Sequence, residues 1–288
     1  MTSLQYFYEN APEYHIIATR NLLKSAINEK IDIKTLYPMD MEEFMLALDE
    51  GKLVELIKES FTKNISLPST LHDVAMKLYR QYLVVGGMPE CVMQFIQTKD
   101  YILVRHIQDT ILASYLNHLN KVEKRIKNKK VLEWLCLSGI VSQVYKIDHV
   151  KKPLENYKNI DDFKIYVSDL GLLCAKKDLV ANDILYMVDE INDFKGGMVE
   201  NYVNTQLLSN GYQTYYWESK RGAEIDFVIQ REGKLIPLEV KSADNTKSKS
   251  LNIYIETYQP AYAIKLSTKN FAFENNKKIV PLYAAFCI

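Results

Sequence analysis

The C-terminal half of the sequence is organised around the stretch Gly222-Ala223-Glu224-Ile225-Asp226-Phe227-Val228-Ile229-Gln230-Arg231-Glu232-Gly233-Lys234-Leu235-Ile236-Pro237-Leu238-Glu239-Val240-Lys241-Ser242. Hydrophobic residues recur at every second position on each side of its centre: Ile225, Phe227, Ile229, Ile236, Leu238 and Val240. A period of two is typical of strands that bury one face. Gly233 lies where a tight turn needs a positive φ. The stretch therefore predicts a β-hairpin.

The turn determines which residues of the two strands oppose one another. A two-residue turn centred on Glu232-Gly233 places Asp226 opposite Glu239. Two residues further out, Glu224 lies opposite Lys241. If the apolar residues share one face, these four side chains project from the other face.

Two opposed carboxylates indicate a cation between them. Directly opposed residues have Cβ atoms roughly 5 Å apart, and like charges placed so destabilise a sheet. A hard divalent ion such as Mg²⁺ or Mn²⁺, bound by Asp226, Glu239 and a substrate phosphate, suits this geometry. Lys241 lies on the face of Glu239, where it can neutralise a phosphate oxygen or orient an attacking water. The alternative is a solvated hairpin face on which lysines balance the acids.

The same residues resemble the D…ExK core of the PD-(D/E)xK nuclease superfamily, with Asp226 followed by Glu239-Val240-Lys241. Upstream, Gly196-Gly197-Met198-Val199-Glu200-Asn201 opens an amphipathic segment and resembles the superfamily's first helix. The resemblance implies catalytic roles for Asp226, Glu239, Lys241 and Glu200, with the three acids as metal ligands. Glu200 has an alternative role, because the macrodipole favours an acid at the start of a helix.

Residues 222–227 and 238–242 are similar to one family in particular, the prokaryotic AAA-type ATPases with a nuclease-like C-terminal domain of unknown function. In pieces, the resemblance covers most of the chain. It implies a remnant of the ATPase core at residues 1–60, a helical lid and winged-helix-like region at 61–158, and a PD-(D/E)xK nuclease-like domain at 159–288. The expected fold class is α/β with a mixed sheet and flanking helices.

The N-terminal segment resembles the end of an ATPase core. Tyr14-His15-Ile16-Ile17-Ala18-Thr19 is an apolar run suited to a buried strand, and Thr19-Arg20-Asn21 follows where the family usually has Thr-Gly-Ser. The chain contains no Gly-x-x-x-x-Gly-Lys-Ser/Thr loop, whose amides and lysine cradle phosphates, and the family's acidic magnesium strand is also missing. We therefore expect a truncated member that does not bind or hydrolyse ATP alone.

A basic run occupies residues 121–130, with six basic residues against one acid. The helix at 131–135 and the strand at 140–147 that follow it resemble the winged-helix unit of the family. The run can follow a DNA backbone, or it can be a solvated helix face. The side chains expected to contact nucleic acid are Lys121, Lys124, Arg125, Lys127, Lys220, Arg221 and Lys247.

Composition limits the class of protein more than its function. Hydrophobic residues make up 48% and charged residues 25% of the chain, as in ordinary globular proteins. Lys plus Arg equals Asp plus Glu at 36 each, so an argument for nucleic acid has to be local. The four cysteines lack metal-ligand spacing, and no signal peptide or apolar run of about 18 residues occurs. These features predict a cytoplasmic protein without a membrane partner.

Three functions follow from these observations. The first is metal-dependent hydrolysis of DNA phosphodiester bonds by the nuclease-like domain. The second is a non-catalytic DNA-binding or assembly module that kept the fold. The third is a degenerate ATPase fragment that acts with a partner ATPase chain or as a homo-oligomer.

Overall fold

The computed structural model describes residues 10, 13, 34–123, 131–242 and 248–288, which fold as an α/β protein as predicted. The strand predicted at residues 14–19 and the polar Thr19-Arg20-Asn21 lie outside the described residues. So do Lys124, Arg125, Lys127 and Lys247, which are predicted to contact DNA, and of Lys121 the structure describes only the backbone.

The secondary structure alternates between helical and sheet regions. The helices in the described ranges are α1 (Met41–Ala47), α2 (Gly51–Lys63), α3 (Ser69–Val85), α4 (Pro89–Thr98), α5 (Tyr101–Glu123), α6 (Val131–Leu137), α7 (Leu170–Lys176), α8 (Ala181–Tyr186), α9 (Asn192–Ser209) and α10 (Lys249–Tyr258). The strands are β1 (Val141–Ile147), β2 (Lys158–Val167), β3 (Tyr215–Glu218), β4 (Glu224–Arg231), β5 (Lys234–Val240), β6 (Ala263–Ser267), β7 (Ala272–Glu274) and β8 (Lys277–Pro281). Short 3₁₀ turns cover Leu154–Tyr157, Asp189–Ile191 and Leu282–Cys287. Within the described part of the chain, every helix is too short or too polar to cross a bilayer.

Individual residues explain where α1 begins and why it does not continue into α2. The Asp40 side chain accepts a hydrogen bond from the Glu43 amide at 2.9 Å, and the Glu43 side chain accepts one from the Asp40 amide at 3.0 Å. This reciprocal pair is a capping box at the start of α1. The helix α1 does not continue into α2, because Asp49 between them adopts a positive φ of 65°.

A glycine junction, formed by Gly86, Gly87, Asp169 and Gly171, joins the helical region to the sheet region. α3 ends at Gly86, which adopts a φ of 75°, and a Cβ on Gly87 would lie 2.0 Å from the Met39 carbonyl oxygen. The Asp169 carboxylate accepts hydrogen bonds from the amides of Gly87 at 2.7 Å and Leu172 at 2.8 Å. Asp169 is therefore the helix cap of α7, because Leu172 lies in the first turn of that helix.

The described strands form one mixed eight-stranded sheet in the order β2-β1-β3-β4-β5-β6-β8-β7. β1 pairs antiparallel with β2 and parallel with β3. The predicted boundary at residues 158 and 159 therefore lies inside a hairpin whose first strand adjoins β3. One hydrophobic cluster extends from Met41 to Ile288 across the helical and sheet regions. The division into three domains stays a prediction.

Each face of the sheet packs against a different helix. On one side, Phe227, Leu238 and Val240 belong to the same cluster as Tyr202 of α9, and we call this the α9 face. On the other side, buried residues of β3 and β4 pack with Leu251 and Tyr254 of α10, and we call this the α10 face. The central strands are thus buried on both faces rather than on one.

Candidate functional site

The hairpin of β4 and β5 has the predicted turn and register. Glu232 and Gly233 both adopt positive φ, at 49° and 72°, which is the conformation of a primed two-residue turn. The paired residues run from Arg231 with Lys234 to Phe227 with Leu238. This is the predicted alignment as far as Phe227, and the paired residues end there, before the predicted pair of Asp226 and Glu239.

A β-bulge interrupts β4 just beyond these pairs. Tyr215 of β3 pairs with Val228 and Trp217 pairs with Ile225, so β4 has one extra residue between the two pairs. Ile225 therefore lies with Val228 on the α10 face, whereas Phe227 lies on the α9 face. The prediction that Ile225 and Phe227 share a face is wrong. A single polar face is also absent from the described hairpin, because both faces are covered.

Asp226 lies at this bulge, where β4 and β5 separate, and we call this place the fork. Its Oδ2 accepts a hydrogen bond of 2.6 Å from the backbone amide of Val240. A side chain that bonds to the backbone of the neighbouring strand has to lie between the two strands. The Asp226 carboxylate thus replaces a ladder hydrogen bond, and only 9% of the residue is exposed.

The electrostatic surroundings of Asp226 favour a proton. Burial, followed by the negative charge of Glu200, raises its pKa from 3.8 to about 7. The Val240 amide and the ammonium groups of Lys241 and Lys164 oppose this rise. Perturbed carboxyl groups of this kind are more frequent at functional sites than elsewhere, although ion-pair networks also produce them.

Glu239 is the second buried acid at the fork. Its neighbours Leu238 and Val240 point to the α9 face, so strand alternation directs Glu239 and Lys241 to the α10 face. Glu239 is 2% exposed, and its Oε1 lies 3.5 Å from the Lys241 Nζ. Its Oε2 is buried without a hydrogen-bond partner among the described residues. Such an atom calls for an explanation, and an ion or a water molecule is the usual one.

Glu200 approaches from the α9 face. It lies about two turns beyond Asn192, the first residue of α9, so the alternative role at a helix start is wrong. Its Oε2 accepts hydrogen bonds from the Tyr166 hydroxyl at 3.1 Å and from the Lys164 Nζ at 3.4 Å. Glu200 therefore has two partners on β2.

Lys164 and Tyr166 are site residues that the sequence analysis missed. The Lys164 Nζ also forms an ion pair with Glu224, which was predicted to oppose Lys241 instead. Burial opposes the charge on Lys164, but Glu200, Glu224 and Asp226 together raise its pKa. The only signal in the sequence is that the two residues alternate on one strand, in a segment that reads as packing.

The three predicted metal ligands thus reach the fork from different directions. Glu200 lies on the α9 face, Asp226 lies between the strands and Glu239 lies on the α10 face. Accordingly, no group of three or more His, Cys, Asp or Glu side chains in the described ranges is arranged to hold a metal ion. Asp226 bonds to the amide of Val240, the residue after Glu239, and the carboxylate oxygens of both acids are the ligands that Mg²⁺ prefers.

Lys220 and Arg221, two of the predicted nucleic-acid contacts, are exposed in the turn between β3 and β4. The structure gives them no partner chain or ligand, and their role stays a prediction. Ser219 closes this turn by accepting hydrogen bonds from the amides of Arg221 at 3.3 Å and Ala223 at 2.9 Å.

Comparisons with known proteins place a family resemblance on the same region. No curated protein sequence and no solved structure matches the chain. Residues 195–285 match the family model described as domain of unknown function DUF4143, a domain often associated with AAA-type ATPases. The matched span contains Glu200, Asp226, Glu239 and Lys241, and it leaves out β1 and β2. Residues 195–285 of this chain are therefore similar to DUF4143, a domain of unknown function.

Proposed function

We propose that the chain is a metal-dependent nuclease-like protein that hydrolyses DNA phosphodiester bonds at the fork. The observation that supports this most directly is the buried Oε2 of Glu239, which has no hydrogen-bond partner among the described residues. A buried carboxylate oxygen without a partner is costly, and a divalent cation beside it would remove that cost. The proposal includes descent from an AAA-type ATPase with a PD-(D/E)xK-like C-terminal domain.

The residues at the fork fit a hard divalent cation bound by two carboxylates. Asp226 and Glu239 would hold Mg²⁺ or Mn²⁺, and Mg²⁺ is usually bound by one or two carboxylates with waters and substrate phosphates completing its shell. When bound, such an ion would polarise the phosphate and lower the pKa of a water molecule. Glu200 would assist as a third acid from the α9 face.

The chain's own groups position and balance the reaction. The Val240 amide holds the Asp226 carboxylate through Oδ2, which leaves the other oxygen to face the substrate. Lys241, 3.5 Å from Glu239, would stabilise negative charge on the phosphate. Lys164 and Tyr166 hold Glu200 in place through its Oε2.

The engagement of Glu200 supports a second candidate function. Because Lys164 and Tyr166 already satisfy Glu200, and because the three acids approach from different directions, the fork is also compatible with a non-catalytic DNA-binding or assembly module. In that case ATP hydrolysis would belong to a partner ATPase chain.

Plasmid nicking tests the proposal. The purified chain should nick supercoiled DNA in the presence of Mg²⁺ or Mn²⁺, and Asp226→Asn should abolish the activity because it removes a charged ligand. The matched control is Asp193→Asn, which makes the same chemical change at an exposed position in the first turn of α9 and should nick at the wild-type rate.

Two outcomes would contradict the nuclease. Nicking that persists at full rate in Asp226→Asn would mean that another residue or a contaminant acts. Absence of nicking by the folded wild-type chain with either metal, over a range of DNA structures, would favour the binding module. Circular dichroism on each variant separates loss of activity from loss of structure.

A further inference from the structure

Four lysines lie together beside Glu239, and the proposed function uses only Lys241 among them. We call the set the lysine patch, and its members are Lys241, Lys265, Lys269 and Lys277. Lys265 of β6 lies directly opposite Glu239 of β5. Lys277 of β8 lies opposite Ala263, two residues before Lys265 on the same strand.

Strand alternation directs these side chains to one face. Ala263 is buried on the α10 face, so Lys265 and Lys277 point the same way as Glu239 and Lys241. Asn252 of α10 confirms this direction, because its Oδ1 accepts a hydrogen bond of 2.6 Å from the Lys277 Nζ. Lys269 is exposed just beyond the carboxyl end of β6. The patch therefore starts at the fork and continues across three neighbouring strands.

The positive charge of the lysine patch exceeds its negative charge. Glu239 and Asp226 border it at the fork, and Glu274 lies opposite Lys277 at the outer edge, so four ammonium groups face three carboxyl groups. Partial burial lowers the pKa of Lys265, Glu239 opposes that change, and the charges of Lys269, Lys241 and Lys277 reinforce it. Since the whole chain has a formal net charge of zero, this is a local concentration of positive charge.

We propose that the lysine patch binds the phosphate backbone of a nucleic acid and leads it to the fork. Neighbouring strands are roughly 4.8 Å apart, so the patch spans about 10 Å from β5 to β8, enough for consecutive phosphates. Acidic residues at both ends limit the lysine patch to a narrow stripe. A narrow stripe of positive charge suits a chain of phosphates better than a broad lipid surface. This inference rests on the proposed function, because it supplies the substrate track for that site.

The test measures binding in the absence of cleavage. Fluorescence anisotropy of labelled single-stranded and duplex DNA with the full chain, in EDTA, gives an affinity at several salt concentrations. Lys265→Gln, Lys269→Gln and Lys277→Gln should each weaken binding severalfold and reduce the slope of log K against log salt by about 1. Lys234→Gln is the matched control. It removes the same charge at the exposed opposite end of β5, roughly 20 Å away, and should bind as the wild type does.

The outcomes separate this inference from the nuclease proposal. The triple variant carries Lys265→Gln, Lys269→Gln and Lys277→Gln together. If it binds DNA with wild-type affinity and salt slope, the lysine patch is not the substrate track. Binding to vesicles of anionic lipid that the triple variant loses, without binding to DNA, would also overturn it. If DNA binding depends on the patch but the wild type never nicks DNA, the track stands and the nuclease fails. Asp226→Asn should bind DNA at least as tightly as the wild type, because it removes a negative charge near the patch.

Lys269→Gln keeps the test valid if the other variants fold poorly. Its side chain is exposed outside the regular strands, so its replacement should leave the fold intact. The proposal is rejected if Lys269→Gln and every other lysine variant that folds show the wild-type salt slope.

Discussion

Two buried aspartates, Asp169 and Asp226, show what separates a structural acid from a candidate functional one. Burial raises the pKa of both. Around Asp169, backbone amides of Leu172, Gly87, Met88 and Gly171 all counteract that rise. Around Asp226 a single amide does so, and the charge of Glu200 adds to the rise.

The difference lies in how completely each carboxylate is satisfied. The oxygens of Asp169 accept hydrogen bonds that join two chain segments, so this side chain holds the junction together. The fork combines a partly satisfied Asp226 with a Glu239 oxygen that has no partner among the described residues. An unpartnered buried carboxylate oxygen destabilises a fold, and for this reason we place the proposed function at the fork.

The largest expected effect is at Asp169. Asp169→Ala would leave the buried amides of Gly87 and Leu172 without an acceptor and should lower the free energy of unfolding by roughly 3–5 kcal/mol. Urea denaturation measures it. Asp40→Ala is the control, because it removes the aspartate cap of α1, which is less buried, and should cost about 1 kcal/mol. Equal losses for the two variants would contradict the view that the glycine junction depends on Asp169.

The opposite sign is expected at Asp226. Its folded-state pKa of about 7 lies above the ordinary 3.8, so the folded protein holds this proton more tightly than the unfolded chain and the free energy of unfolding falls as pH rises from about 4 to about 7. Asp226→Asn should therefore stabilise the protein by about 2–4 kcal/mol at pH 8 and by almost nothing below pH 4. Its amide oxygen can still accept the Val240 hydrogen bond.

Denaturation curves of the wild type and Asp226→Asn at pH 4 and pH 8 measure this difference. A variant less stable than the wild type at pH 8 would mean that the Asp226 carboxylate supports the fold through its hydrogen bond, as the side chain of Asp169 does. A gain in stability combined with a loss of nicking would sharpen the contrast, because the wild type would then keep a destabilising group for its chemistry.

The smallest expected effect is at Gly196, near Glu200, and it is compared with a change at Gly87 in the glycine junction. Gly196 lies inside α9, one turn before Glu200, and a Cβ there would meet no atom within 4 Å among the described residues. Gly196→Ala should stabilise the protein by about 0.5–1 kcal/mol through helix propensity, whereas Gly87→Ala should destabilise it because of the Met39 carbonyl. Thermal denaturation of both variants measures this. Loss of stability in Gly196→Ala would show that the open space beside Glu200 is needed by the fold itself.

Local patterns predicted the parts of this structure that depend on local physics. The primed turn and the register beyond it follow from Gly233 and from alternation, and the break at Gly86 follows from its freedom of φ. The cap at Asp169 was likewise predictable from a single residue type before a helix.

Features that depend on distant partners were not predictable in this way. The bulge in β4 is defined by the pairing of β4 with β3, so the residue types at Ile225 and Asp226 do not predict it. The start of α9 was placed too late because Gly196-Gly197 reads as a break, although both glycines lie within the helix. Lys164 reaches Glu200 only because the sheet brings β2 close to α9.

The partners of Glu200 on β2 have a consequence for how this domain can be moved between proteins. The segment that matches DUF4143, residues 195–285, carries Asp226 and Glu239 but not the strands β1 and β2. A fragment cut at those limits would expose the edge of β3. It would also leave Glu200 without its hydrogen-bond partners Lys164 and Tyr166. The smallest unit that could be transplanted with the partners of Glu200 is therefore larger than the sequence family defines, and it begins no later than β1.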